Sequence, residues 1–125
     1  MNPNQLIQQL LDAFADVRYV AIYENGQLNS QQRMAVANSS AADSDTYEEL
    51  LVNPTLLTLA GQRGNIDCGG LNYLIIRYGH FYQLVKPTAT GHISVCLEPD
   101  ADLNTLPGTI FDHINALVPE QEWTT

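Results

Sequence analysis

Lysine is almost missing from this chain. Lys86 is the only one in 125 residues, and with Arg18, Arg33, Arg63 and Arg77 it faces 14 acidic side chains, for a net charge of −9. Nucleic-acid binders neutralise phosphates with clustered Lys and Arg, and no cluster exists here, so nucleic acid is excluded as a partner. The same scarcity disfavours anionic membrane surfaces. Long apolar runs are missing too: none approaches the roughly 20 residues of a membrane span, and the first residues are polar, without the apolar core of a signal peptide. Two cysteines, Cys68 and Cys96, are too few for a disulfide scaffold and read as reduced thiols in a cytoplasmic protein.

Recognisable chemistry is equally sparse. Cys68, in Asp67-Cys68-Gly69-Gly70, has accessible backbone around it but follows a helix instead of opening one, and a neighbouring carboxylate opposes thiolate formation. Cys96 alternates with Val95 and Leu97 and reads as strand. His80 falls in a turn, His92 opens a strand and His113 borders an apolar stripe, so the histidines share no metal-ligand spacing. Gly61-Gln62-Arg63-Gly64 and Gly69-Gly70 precede strands, whereas a phosphate loop opens a helix. Glu48-Glu49 and Asp100–Asp102 read as helix-start and turn residues. The sequence therefore offers no catalytic, cofactor or metal site, and points to binding or scaffolding instead of an enzyme.

What is present is an ordered series of elements in a chain sized for one domain, 1–125. Asn2-Pro3-Asn4-Gln5 reads as a capped helix start, with Leu6, Leu10, Leu11 and Phe14 on one face and Asp16 at its end. A strand over 17–23 leads into Glu24-Asn25-Gly26-Gln27, a type I′ hairpin signal, and a polar return strand over 27–37. After the small-residue loop 38–44, Asp45-Thr46-Tyr47-Glu48 reads as a capping box for a second helix, kinked at Pro54, ending about Gln62 near Gly64. Strand-like runs at 71–78, 81–85 and 92–97 follow, the first two joined by Gly79-His80 as a type II′ turn. Asp102 then caps a last helix carrying Leu103, Leu106, Ile110, Ile114 and Leu117, which ends before Pro119.

The second helix has two apolar faces. Tyr47, Leu50, Leu51 and Leu57 lie on one side, and Val52, Leu56 and Leu59 lie roughly opposite. A helix covering one sheet needs a single stripe, so the Val52/Leu56/Leu59 stripe calls for a cover: the 38–44 loop, a chain terminus or, the favoured reading, a second protein chain.

The element order resembles the Roadblock/dynein light chain domain family, and bacterial or archaeal small-GTPase regulators within it. So do the segment 16–28 with its turn glycine Gly26, and the closing pattern of Leu71, Leu74, Gly79, Leu84, Ile93, Leu97, Asp100, Asn104 and Leu106. The resemblance implies an α+β, profilin-like fold: order α-β-β-α-β-β-β-α, with a five-stranded antiparallel sheet between one long helix and a helix pair. It further implies a non-catalytic homodimer, joined through the long helix and third strand, that regulates or tethers a small Ras-like GTPase or signalling assembly. Carried onto this chain, the dimer interface is expected at Val52, Leu56, Leu59, Arg63, Leu71 and Tyr73. An alternative reading is a small-molecule sensor of profilin- or PAS-like kind, with a pocket lined by Tyr73, Tyr78, Phe81 and Tyr82.

Overall fold

The chain opens as its first five residues dictate. In the computed structural model, which describes residues 1–118, helix α1 (Pro3–Ala13) is capped reciprocally. The Gln5 N–H donates to Asn2 Oδ1 at 2.9 Å, and the Asn2 N–H donates to Gln5 Oε1 at 3.0 Å. Strand β1 (Val17–Glu24) turns at Asn25 and Gly26, whose φ angles of 51° and 81° are the left-handed pair a type I′ hairpin needs. Strand β2 (Gln27–Gln32) stops well before Ala37, because Ala35 and Asn38 also take positive φ and turn the chain off the sheet.

From 42 to 67 the backbone is helical without a break: α2 (Ala42–Tyr47), a π-helical turn (Glu48–Val52) and α3 (Asn53–Asp67). The wide turn is how the helix absorbs Pro54. A proline has no N–H, and its ring crowds the carbonyl four residues back. Closing the preceding turn with Asn53 N–H to Glu48 O relieves that crowding, so the helix is carried over the proline instead of being split. The capping box expected at Asp45–Glu48 does not form. The helix begins at Ala42, and Asp45 accepts from the Ser40 hydroxyl at 2.5 Å. Nor does it end at Gln62. It runs through Gly64, whose carbonyl accepts from Cys68 N–H at 3.1 Å and Gly70 N–H at 3.0 Å. A Cβ on Gly64 would sit 3.0 Å from the Gly70 carbonyl carbon, so any larger residue would push this close return of the chain outward.

Strands β3 (Leu74–Arg77), β4 (Tyr82–Pro87) and β5 (Gly91–Leu97) form the expected meander. The chain reverses at Gly79-His80 as expected, with Arg77 paired to Tyr82 and Tyr78 N–H donating to Phe81 O at 3.0 Å, but Gly79 does not take positive φ, so the turn is not type II′. Before α4 (Leu106–Leu117), Asp102 does not cap the helix. Its carboxylate accepts from Asn104 N–H at 2.9 Å and the Thr105 hydroxyl at 3.0 Å in the turn ahead of it. Pro119 lies outside the described residues.

The sheet order is β2-β1-β5-β4-β3, antiparallel throughout. One face presents Val20, Ile22, Leu84, Ile93, Val95 and Leu97 to α1 and α4, with Ile110, Phe111 and Ile114 closing the core. The other face carries Tyr19, Ala21, Gln83, His92, Ser94 and Cys96. The architecture is thus the expected five-stranded antiparallel sheet with a helix pair on one side and a long helix on the other.

Candidate functional site

The buried line of the long helix is polar. Glu49 and Asn53, one turn apart across the π-helical turn, are both fully buried. The Asn53 amide donates to Glu49 Oε1 at 2.8 Å, and the same oxygen lies 2.9 Å from His92 Nε2 on β5. Glu49 Oε2 and Asn53 Oδ1 have no hydrogen-bond partner among the described residues. Burying a carboxylate is costly unless it is paired, so His92 is the contact that lets Glu49 occupy this position. The charge is felt by its neighbours. Burial, with Glu49 and Asp45 adding to it, pushes the Tyr19 phenol well above its ordinary range. Burial does the same to the Cys96 thiol, and holds Asp45 and Glu48 above the usual carboxylate range. Next to this cluster, Gln83 donates to Ser94 Oγ at 2.7 Å.

Sequence reasoning missed this cluster. Glu48-Glu49 reads as a solvated helix start and His92 as a strand opener, yet Glu49 and His92 meet in the interior. The signal that could have found it was the alternation His92/Ser94/Cys96 opposite Ile93/Val95/Leu97, together with the i,i+4 pair Glu49/Asn53. Among the described residues, no group of three His, Cys, Asp or Glu side chains is placed to hold a metal ion.

The polar interior overturns the first part of the helix face read from the sequence, while Leu57, assigned to the same side, stays half-buried. Tyr47, Leu50 and Leu51, assigned to the sheet side, stand exposed. Val52 and Leu56, assigned to the solvent stripe, are half-buried. Leu59 is exposed as expected, at 61%, and Ile66 extends its line at 76%. The misreading has a physical cause: the inward positions around the wide turn go to Glu49, which pairs with His92, and to Asn53, which donates to Glu49. Of the other residues expected at an interface, Arg63 is exposed and pairs with Asp67 at 2.7 Å. Leu71 is half-buried, and the Tyr73 ring packs 4.9 Å from that of Phe111, against α4.

The four aromatics expected around one pocket are not brought together. Tyr73 and Tyr82 pack against the apolar core, with the Arg77 guanidinium 4.7 Å above Tyr82. Tyr78 and Phe81 stack on each other at 5.5 Å, and Phe81 adjoins the core of the opposite face. The arginines are also occupied. Buried Arg18 donates to the carbonyls of His80, Ala37 and Asn38 and sits 3.5 Å from Glu98. Arg33 donates to the carbonyls of Val17, Leu11 and Phe14, and Arg77 to those of Tyr78 and Gly79. Cys68 is exposed at the end of α3, its Sγ 3.3 Å from Asp67 Oδ1, while Cys96 is buried. No helix among the described residues is long and apolar enough to cross a membrane.

This arrangement of sheet, helix pair and long helix is a Roadblock-type fold, as the sequence resemblance implies. Solved structures with the same fold include MglB in a tetrameric arrangement, which superimposes with a TM-score of 0.69 at 8% identity, covering 91% of this chain and 83% of that one. The gliding protein MglB from Thermus thermophilus matches with a TM-score of 0.62 at 11% identity, covering 88% and 80% respectively. No protein-family model matches the chain, and no curated protein matches it in sequence.

Proposed function

We propose that this protein is a non-catalytic, homodimeric regulator or scaffold that binds a small Ras-like GTPase or a larger signalling assembly. The observation that carries the reading is the apolar surface left on the long helix. Tyr47, Leu50, Leu51, Leu59 and Ile66 are all exposed on one continuous helical element. Such a concentration of apolar side chains marks an interaction surface. Beside it, β3 is an edge strand whose outer hydrogen-bonding groups are available for pairing. The proposed dimer interface follows Val52, Leu56, Leu59 and Arg63 along the helix, with Leu71 and Tyr73 at its margin where the chain enters β3. The Roadblock-type fold supports the partner class, and the tetrameric arrangement of MglB supports self-association.

Sedimentation velocity at tens of micromolar tests the dimer: the wild type sediments as a dimer, and Leu59→Glu as a monomer with an unchanged circular dichroism spectrum. A monomeric wild type removes the reading's main support. Capture from the source lysate then tests the client. A small GTPase retained with a non-hydrolysable GTP analogue and lost with GDP is the expected result.

A further inference from the structure

On the opposite side of the sheet from the long helix, a cleft opens between α4 and the β4–β5 hairpin. It is lined by Leu71, Lys86, Pro87, Thr88, Ile93, Ile114 and Asn115, with a volume of about 480 Å³. That size lies in the range of small-molecule sites, about 300–1,000 Å³, and is too small for a docked helix. We propose that this cleft binds a small organic carboxylate with an aliphatic body.

The lining divides along the same lines as such a ligand. Leu71, Ile93 and Ile114 supply an aliphatic floor, the last two belonging to the protein's main apolar core. Lys86 supplies the counter-charge, and it is the only lysine in a chain of net charge −9. Its ammonium is not a freely moving surface group. Nζ donates to Asn72 Oδ1 at 2.7 Å and to Asn72 O at 3.2 Å, and lies 5.5 Å from the centre of the Phe111 ring. Two of its three N–H groups are thereby used and the side chain is held at the cleft wall, which leaves one donor for a ligand oxygen. A pre-held ammonium beside an aliphatic floor favours a carboxylate over an alcohol of the same length, because the carboxylate pairs its own charge with the ammonium in the hydrogen bond. Asn115, exposed on α4, supplies the remaining polar group. The site shares Leu71 with the margin of the proposed dimer interface but uses nothing of the apolar stripe of the long helix, and its test reads ligand affinity where the dimer's reads sedimentation, so the two proposals fail separately.

Octanoate and octanol, titrated into methyl-labelled protein and followed by NMR, test the proposal. Octanoate is expected to shift the Leu71, Ile93 and Ile114 methyl signals and to bind roughly tenfold more tightly than octanol, the factor contributed by one hydrogen bond to a charged group. Lys86→Met, which keeps the aliphatic stem, brings the two affinities together. Asn115→Trp, at an exposed position, blocks both ligands without disturbing the core. Equal binding of octanoate and octanol to the wild type overturns the proposal. So does the absence of shifts at these three methyl groups, or octanoate binding that survives Asn115→Trp.

Discussion

The two faces of the sheet are held by different physics. Under α1 and α4 the buried side chains are aliphatic or aromatic, and any close-packed hydrocarbon set of the right volume would serve nearly as well. Under the long helix, burial is shared among a carboxylate, an amide, an imidazole, a hydroxyl and a thiol, and the contact depends on particular atoms meeting at 2.8 and 2.9 Å. An apolar face fixes that a helix packs there; a polar one fixes which residues of the helix face inward. The difference teaches why this helix can leave leucines in solvent. Its register is set by Glu49, Asn53 and His92, so its apolar residues are not needed inside.

Adjacent residues on β5 separate the two effects most sharply. His92→Ala leaves the buried Glu49 carboxylate with only the Asn53 amide as partner, with an expected loss of about 3–5 kcal/mol. Ile93→Ala, pointing to the other face, removes core volume at about 2–5 kcal/mol. The magnitudes overlap, but the patterns do not. In native-state hydrogen exchange, His92→Ala is expected to release the amides of 42–67 ahead of the rest, while Ile93→Ala lowers protection throughout. A uniform loss in both variants would erase the distinction between the faces. Replacing the cluster together (Glu49→Met, Asn53→Leu and His92→Leu) is expected to recover most of the stability, since no member of this buried hydrogen-bonded cluster is then left without its partner.

Gly91 lies where the faces meet at the start of β5, and a Cβ there would come 1.8 Å from the Tyr23 carbonyl oxygen. Backbone cannot step aside as a flexible side chain can, so Gly91→Ala is expected to destabilise by about 1–3 kcal/mol. Thermal unfolding of this variant beside Gly61→Ala, where an added Cβ meets nothing within 4 Å, checks the claim. A similar melting temperature for both variants would show that β1 and β5 can shift.

The apolar face was legible in the sequence and the polar face was not. The Asn2–Gln5 cap, the Asn25-Gly26 turn, the meander and the α1 stripe are local or periodic features, and the structure reproduces them. A helix carried through Pro54 was also legible, whereas which of its residues face inward depends on His92, about forty positions away. Glu49 reads as a surface carboxylate until His92 is placed beside it. The π-helical turn also breaks the regular period at Glu48–Val52, beside Tyr47 and around Leu50 and Leu51, the residues that a regular period puts inside and the structure leaves exposed. Periodicity assumes that apolar residues point inward, and here a paired carboxylate outranks them. The turn at Gly79-His80 is placed as the sequence implies, between Tyr78 and Phe81, and only its type differs, because Gly79 does not take the positive φ of a type II′ hairpin.

Raised acid pKa values on the polar face give it a pH signature that the apolar face lacks. The Tyr78 hydroxyl donates to the Glu48 carboxylate at 2.9 and 3.1 Å, and burial with that neighbouring charge pushes its pKa from 10.0 to about 12. An acid whose pKa is raised on folding binds its proton more tightly in the folded state. Its contribution is therefore complete below pH 10 and is lost as the pH rises toward 12. Glu48 and Asp45 are raised by burial in the same sense, so stability is expected to increase as the pH falls from neutrality toward their ordinary range near 4.5 and 3.8. Tyr78→Phe, losing about 0.5–1.5 kcal/mol at neutral pH, should flatten the alkaline limb. An alkaline melt profile identical to wild type would remove Tyr78 from the account.

The smallest effect on stability concerns the outward side of the same helix. Ile66 and Met34 are both strongly exposed, at 76% and 91%, but Ile66 continues a line of apolar side chains and Met34 stands alone beyond β2. Neither makes contacts that folding depends on, so Ile66→Glu and Met34→Glu should each shift unfolding by less than about 0.5 kcal/mol. They should part in self-association: a charge placed on the helix face shared with Leu59 opposes its burial against a second copy, whereas a charge at an isolated position does not. Sedimentation of the two variants at equal concentration distinguishes an interface from mere exposure. If both remain dimers, the helix line between Leu59 and Ile66 is not the contact, and the β3 edge becomes the place where the second copy joins.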